Sequence, residues 1–126
     1  MIVDAYTHIL PAGYQAMLEE KITDRDMSLN SARYAQTIPT LVDLEARFRV
    51  MDDFDEYIQV VSVASPPVHS IAPPAVAAEL CRAANDELAE MVLKYPHRFA
   101  AGIATLPMND MDAALKEAQR AIKDLR

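Results

Sequence analysis

The chain has 126 residues, of which 52% are hydrophobic and 25% charged, a composition typical of one globular domain in water. Its net charge of −7, without a cluster of Lys or Arg, argues against nucleic acid or an anionic membrane surface as a partner. It has no run of ~20 apolar residues, and its first residues do not have the pattern expected of a secretion signal. Its single cysteine, Cys81, predicts no internal disulfide and favours the reducing cytoplasm.

The first predicted element is a strand near residues 2–8, which Pro11 closes. Side chains alternate along a strand, so we expect Asp4, Tyr6 and His8 to share one face. Residues two apart in a strand are separated by roughly 7 Å, close enough for both to reach one metal ion. An imidazole with a second ligand two residues earlier is half of a common metal site. His8 is therefore a candidate metal ligand, and the alternative is a strand-end histidine bonded to backbone or water.

The rest of the chain alternates between helical and strand patterns. Helices are predicted near residues 12–20, 41–53, 74–95 and 110–125, and strands near 58–64 and 99–105. Both of these strands are apolar enough to be covered on both faces. Thr40 and Asn109 are the predicted caps of the second and fourth helices. Residues 21–37 are polar and predict either a lid over a binding surface or a mobile connection.

This order of elements predicts an α/β fold. Strands that alternate with helices favour a parallel sheet with right-handed crossovers. Three parallel strands leave two open edges, which is unusual for so small a sheet. The last predicted helix carries an apolar stripe of Met111, Leu115, Ala118, Ile122 and Leu125. Since the chain stops directly after this helix, we expect residues 1–126 to form one partial domain of a larger fold.

Four stretches of the sequence resemble the amidohydrolase superfamily. The first is Asp4 to Pro11, and the others are Arg47 to Asp52, Val60 to Pro67 and Asn85 to Pro107. The last stretch includes the turn Tyr95-Pro96-His97-Arg98-Phe99 and ends in Leu106-Pro107. The resemblance is to the branch that contains aminocarboxymuconate-semialdehyde decarboxylase and related aromatic-acid decarboxylases and hydrolases. It corresponds only to the N-terminal part of such a protein.

The resemblance implies the N-terminal three βα units of a TIM-like (β/α)8 barrel, incomplete in this chain, with chemistry at the carboxyl ends of the parallel strands. It implies a divalent metal, zinc or manganese, in the complete enzyme, and either no metal or a single ligand, His8, in this segment. Tyr6 stands where the family has histidine or, in some decarboxylases, glutamate. A phenol is a poor ligand for a divalent ion unless it is deprotonated. We therefore expect Tyr6 to be either a hydrogen-bonding group of the substrate pocket or a packed aromatic side chain, rather than a metal ligand.

Three further residues belong to this implied site. Ser65 and His69, in the loop after the second strand, are expected to contact substrate, although a plain surface histidine is the simpler interpretation of His69. Asp4 either supports its strand through backbone contacts or orients a metal ligand through a hydrogen bond.

Four other residues have mainly structural interpretations. Arg47 lies on the polar side of its predicted helix, where a solvated side chain or a packing ion pair is expected and contact with a substrate carboxylate is the alternative. Asn85 is expected to hydrogen-bond a loop, and His97 to lie in a structural turn at the opposite end of the barrel. Cys81 lies in mid-helix without a neighbouring histidine, which indicates an inert packed thiol.

The leading functional hypothesis is the N-terminal portion of a metal-dependent amidohydrolase-type enzyme. It would act on a small carboxylate-bearing substrate by hydrolysis or non-oxidative decarboxylation. The chain alone is expected to be inactive, because a catalytic zinc needs about three protein ligands. The alternatives are a non-catalytic degenerate homologue, or a half-barrel that oligomerises through its open strand edges. A third is a partial barrel completed by a separate chain.

Overall fold

The computed structural model describes residues 1–22 and 37–125, in which strands and helices alternate. The elements are β1 (Ile2–Ile9), α1 (Ala12–Lys21), α2 (Leu44–Met51), β2 (Tyr57–Val63), α3 (Pro74–Lys94), β3 (Phe99–Gly102) and α4 (Met111–Arg120). Short 3-10 turns occupy Pro39–Leu41 and Val68–Ser70, and a π-helical turn, Ala121–Leu125, extends α4. The lid or mobile connection predicted for residues 21–37 falls on residues 23–36, outside the described residues.

The described strands form a parallel sheet in the order β1-β2-β3. This confirms the parallel α/β arrangement predicted from the alternation of patterns. Since parallel strands point the same way, the carboxyl ends of β1 and β2 meet at one edge of the sheet, where Ala64 N donates to Ile9 O at 2.9 Å. None of the helices in the described ranges is long and apolar enough to cross a membrane.

The core lies between the sheet and α3. Val61 of β2, Phe99 of β3 and Leu88 of α3 are at most 2% exposed and belong to one cluster. A second cluster joins α1 to α3 through Tyr14 and Leu80, which are also buried. The face of α3 that carries Leu80 and Leu88 is therefore the central packing surface of the described fold.

Within residues 1–22 and 37–125 only one face of the sheet is covered, whereas the sequence predicted β2 and β3 to be covered on both faces. Val61 is fully buried on the helix-facing side, whereas Ile58 and Val60 are half-buried. β3 is also shorter than predicted: it ends at Gly102, and residues 100–104 are exposed. The apolar sequence of these strands reflects faces that the described elements do not cover.

Two helix caps differ from the sequence prediction by one to three positions. α2 begins at Leu44, because Asp43 rather than Thr40 caps it, accepting from Glu45 N at 2.8 Å and Ala46 N at 3.2 Å. At the start of α4, Asp110 takes the place predicted for Asn109 and accepts from Ala113 N at 3.0 Å. A carboxylate competes well for these N–H groups at the positive end of a helix.

The face that α4 turns to the core is also not the predicted apolar stripe. Met111, Leu115 and Ile122 are 58%, 63% and 78% exposed, while Ala114 and Glu117 are buried. Glu117 accepts a hydrogen bond from Asn85 of α3 at 2.7 Å, so polar pairing orients α4. The apolar stripe therefore lies on the surface of the described structure.

Candidate functional site

His8 lies near the carboxyl end of β1, beside Ser62 of β2 in the sheet register. Its Nδ1 lies 2.8 Å from Ser62 Oγ, and the same hydroxyl donates to Thr7 O at 3.1 Å. Strand pairing thus holds the imidazole ring through a neighbouring strand. The ring is half-buried, so it keeps one side open to the sheet face that no described helix covers.

A β-bulge separates Asp4 from the other two candidate residues of β1. Asp4 pairs with Gln59 and Thr7 pairs with Val61, so three steps along β1 match two along β2. Gln59 and Val61 point to the helices, and therefore so do Asp4 and Thr7. Tyr6 and His8 then point to the opposite face. The expectation that Asp4, Tyr6 and His8 share one face is wrong, because strict alternation fails at a bulge.

Tyr6 lies beside His8 on the open face. The two ring centroids are 4.9 Å apart in an edge-to-face arrangement, and the tyrosine is 82% exposed. An exposed phenol that stacks edge-on against an imidazole can donate a hydrogen bond to a molecule bound at this face.

Asp4 is held on the helix-facing side. One carboxylate oxygen accepts from Tyr6 N at 3.2 Å and the other from the Tyr57 hydroxyl at 2.7 Å. These two hydrogen bonds lower the pKa of Asp4 below its usual value. Within the described residues Asp4 has no contact with the His8 ring, so its backbone-supporting role fits the geometry and a role in orienting His8 stays a prediction.

Arg47 is a buried residue that joins α2 to β1 and β2, a role that the sequence did not predict. It is only 5% exposed and donates to the carbonyls of Thr40, at 2.9 Å, and of His8. It also donates to Gln59 Oε1 at 2.7 Å, and Gln59 is joined in turn to Tyr57. Burial lowers its pKa from the ordinary arginine value. The predicted solvated arginine or packing ion pair is therefore wrong.

A signal for this burial was present in the sequence. Leu44, Phe48 and Met51 are spaced by four and three residues, as on one face of a helix, and Arg47 lies three residues after Leu44 on the same face. An arginine inside an apolar stripe must either reach out of it or find buried acceptors. Arg47 donates to three acceptors: the carbonyls of Thr40 and His8 and the side-chain oxygen of Gln59.

The loops after β2 and β3 meet near the same edge of the sheet. A cavity of about 170 Å³ lies between them, and its lining includes Ser65 and Thr105. Ser65 therefore lies beside this cavity, and its contact with a substrate stays a prediction. His69 is exposed in the turn Val68–Ser70 and does not line this cavity, although its carbonyl lies 3.4 Å from Asn109 Nδ2.

Asn85 positions the loop after β3, as predicted. Its amide nitrogen donates to Thr105 O at 3.0 Å, and its amide oxygen accepts from Thr105 N at 2.8 Å. Asn109 ties the same loop to the preceding one by donating to Ala72 O at 3.0 Å. His97 is exposed in the turn before β3, at the amino-terminal edge of the sheet.

The described side chains can supply one ligand to a metal ion, but they do not form a complete metal site. The described residues contain no group of three or more His, Cys, Asp or Glu side chains that could hold a metal ion. His8 offers one imidazole at the edge where a barrel enzyme carries its chemistry. The remaining ligands of a catalytic metal would have to come from outside the described residues.

The sequence matches the amidohydrolase family over residues 3–126. This chain belongs to the amidohydrolase family. Among its relatives, gamma-resorcylate decarboxylase of Polaromonas sp. is 36% identical over 115 residues, which cover 86% of this chain and 35% of that protein. The gamma-resorcylate decarboxylase of a Rhizobium species is 41% identical over 86 residues, covering 68% of this chain and 26% of that protein. The amidohydrolase chain thus spans about a third or less of the curated relatives it matches.

The fold of this amidohydrolase chain agrees with a solved structure. The crystal structure of dihydroxybenzoic acid decarboxylase from Polaromonas sp., with bound manganese and the inhibitor 2-nitroresorcinol, superposes with a TM-score of 0.74 at 32% identity. The match covers 98% of this chain and 35% of that one. The predicted family and the predicted three βα units of a TIM-like barrel are confirmed.

Proposed function

We propose that this chain supplies the first three βα units of a metal-dependent decarboxylase that acts on a hydroxylated aromatic acid. The observation that carries the proposal is the position of His8, at the carboxyl end of β1 with its ring on the open face. The decarboxylase relatives support carbon dioxide release over hydrolysis. The reaction replaces the carboxylate of the aromatic ring with a proton.

Each candidate residue has a part in this proposal. A divalent ion, when bound, polarises a substrate oxygen. His8 would supply one ligand to that ion, and the exposed hydroxyl of Tyr6 would donate a hydrogen bond to the substrate carboxylate or phenol. Ser65 and His69 would contact the substrate from the loop after β2.

Manganese is the metal we propose. The structural relative from Polaromonas sp. contains manganese, and no comparison supports the zinc that the sequence also allowed. Manganese prefers carboxylate, carbonyl and water oxygens, so the ligands that accompany His8 would be mainly oxygen donors from outside the described residues. The partners would be a small aromatic carboxylate and the remainder of the barrel, and we propose a cytoplasmic location.

The proposal can be tested by measuring turnover of gamma-resorcylate. The enzyme to assay is the protein encoded by the gene that contains this sequence. We expect carbon dioxide release that chelator abolishes and manganese restores, and none from the 126-residue chain alone. His8→Ala should abolish turnover, whereas His97→Ala, at an exposed histidine on the opposite edge, should not. Chelator-resistant turnover, or turnover in the His8 variant, would refute the proposal.

A second candidate is a non-catalytic half-barrel that oligomerises. Its support is the apolar surface of α4, where Met111, Leu115 and Ile122 are more than half exposed. Such surfaces often mark an interface. Molecular mass in solution separates the candidates, because a half-barrel module should form one defined oligomer and lack metal-dependent turnover.

A further inference from the structure

The hydroxyl of Ser62 has one proton, and the two groups that it contacts limit where that proton can point. Ser62 Oγ lies 3.1 Å from Thr7 O and 2.8 Å from His8 Nδ1. A backbone carbonyl can only accept, so the contact with Thr7 requires Ser62 to donate. Its single hydrogen is then used, and towards His8 the hydroxyl can only accept. Nδ1 of His8 must therefore carry the hydrogen of this bond.

This assignment fixes the other ring nitrogen as well. In neutral imidazole one nitrogen is a donor and the other has a free lone pair. With hydrogen on Nδ1, the lone pair of His8 is on Nε2. Within the described residues Nε2 has no hydrogen-bond partner, while the ring edge faces the side of the sheet that carries Tyr6.

We propose that Ser62 is a positioning residue that holds His8 in the Nδ1–H form and so presents Nε2 to a metal ion. The part of this inference that concerns metal rests on the proposed function, and the part that concerns the tautomer does not. A hydrogen-bond partner on the second nitrogen commonly fixes the orientation of a metal-bound histidine. The sequence suggested Asp4 for that task, but the bulge turns Asp4 to the other face.

The hydrogen-bond chain is fixed by the strands themselves. It runs from His8 Nδ1 through Ser62 Oγ to the carbonyl of Thr7, the residue before His8. Thr7 Oγ1 also donates to Val60 O at 2.8 Å, which joins β1 to β2 beside this hydrogen-bond chain. The ring orientation therefore depends on the register of two strands rather than on a flexible loop.

The tautomer can be measured directly in the metal-free form of the gene product that contains this sequence. Long-range proton–nitrogen NMR of 15N-histidine-labelled protein, above the titration range of histidine, distinguishes a protonated from an unprotonated ring nitrogen. We expect a protonated Nδ1 and an unprotonated Nε2 at His8, with His8→Gln as the assignment control. His69 and His97 are exposed and should show mainly the Nε2–H form that histidine prefers in water. A protonated Nε2 at His8 would overturn the proposal.

Ser62 variants test the cause. In Ser62→Ala the His8 signals should move towards the Nε2–H form that histidine prefers in water. Ser62→Thr keeps the hydroxyl in a β-branched side chain, so His8 should keep the Nδ1–H form in this variant. Ser70→Ala is the matched control, because Ser70 donates to Pro67 O at 2.7 Å in an exposed turn. Unchanged His8 signals in Ser62→Ala would refute the assignment.

Metal affinity gives the second readout. In the natural gene product, Ser62→Ala should weaken manganese binding by roughly 10- to 100-fold, the usual effect of removing such a partner, and Ser70→Ala should not. If wild-type protein shows the Nδ1–H form but binds no manganese, the proposed function fails while the tautomer assignment stands. If manganese binds and Ser62→Ala does not weaken it, the positioning role is wrong.

Discussion

The guanidinium of Arg47, on α2, donates a hydrogen bond to the backbone carbonyl of His8, on β1. A helix that packs outside the sheet therefore holds the backbone of the candidate metal ligand. The same guanidinium reaches Gln59 on β2, so one side chain joins two strands and a helix behind the site. The position of His8 depends on Arg47 as well as on Ser62.

Arg47→Lys should lower the free energy of unfolding by about 1–3 kcal/mol, because an ammonium cannot reproduce the planar fork and leaves buried acceptors unpaired. Arg49→Lys, on an exposed position of the same helix, should change it by less than about 0.5 kcal/mol. Urea unfolding of both variants measures the difference. Equal effects of the two substitutions would show that Arg47 is not an anchor.

Asn85→Asp should cost about 2 kcal/mol of unfolding free energy. The new carboxylate cannot donate to Thr105 O, and it would face the carboxylate of Glu117 across the former 2.7 Å hydrogen bond. Gln119→Glu makes the same chemical change at an exposed position of α4. Thermal unfolding should separate the two variants by several degrees, and coincident curves would contradict the structural role of Asn85.

The hydrogen bonds of Glu117 predict a loss of stability in acid. Burial raises its pKa, but hydrogen bonds from Arg120 and Asn85 outweigh burial and hold the pKa below the usual 4.5. A carboxyl whose pKa is lower in the folded state stabilises the fold above pH 4.5 and loses that effect as the pH falls through the folded-state pKa.

Glu117→Gln should therefore reduce stability at neutral pH and flatten its decline below pH 4.5. Unfolding free energies measured at a series of pH values down to about pH 3 give the two slopes. Asp86 also pairs with Arg120, at 2.5 Å, so Arg120 keeps one carboxylate partner in the variant. Glu20→Gln, at an exposed position of α1, is the control and should keep the wild-type slope.

Cys81 should be unreactive in the folded protein. It is fully buried, and burial raises the pKa of its thiol to about 11, so the nucleophilic thiolate is scarce at neutral pH. Iodoacetamide should label it only after unfolding in urea, as followed by mass spectrometry. Rapid labelling of the native chain would contradict the packing of α1 against α3.

Much of the fold follows from local pattern. The bounds predicted for the third helix, 74–95, agree with α3 to within one residue, and the apolar runs predicted where each strand begins to within one residue. Helix and strand periodicity are properties of a short window, so the sequence carries them. His8 could be singled out as a candidate ligand in the same way, because its position near the end of a strand follows from the local sequence.

The arrangement around His8 depended on contacts between distant segments. The bulge in β1 is set by its pairing with β2. The stretch from Asp4 to Thr7 contains no glycine or proline that would predict a bulge from the sequence. Ser62 looked like an ordinary strand residue until the register placed it beside His8. The face of α4 was missed for a related reason, because Glu117 is buried by partners on α3.

The most direct test of the account is the manganese content of the natural gene product that contains this sequence, by elemental analysis of wild type, His8→Ala and His97→Ala. The account predicts bound manganese in wild type and in His97→Ala, and its loss in His8→Ala. A folded wild-type product without divalent metal, or a His8→Ala variant that keeps its manganese, would contradict the claim that β1 supplies a metal ligand.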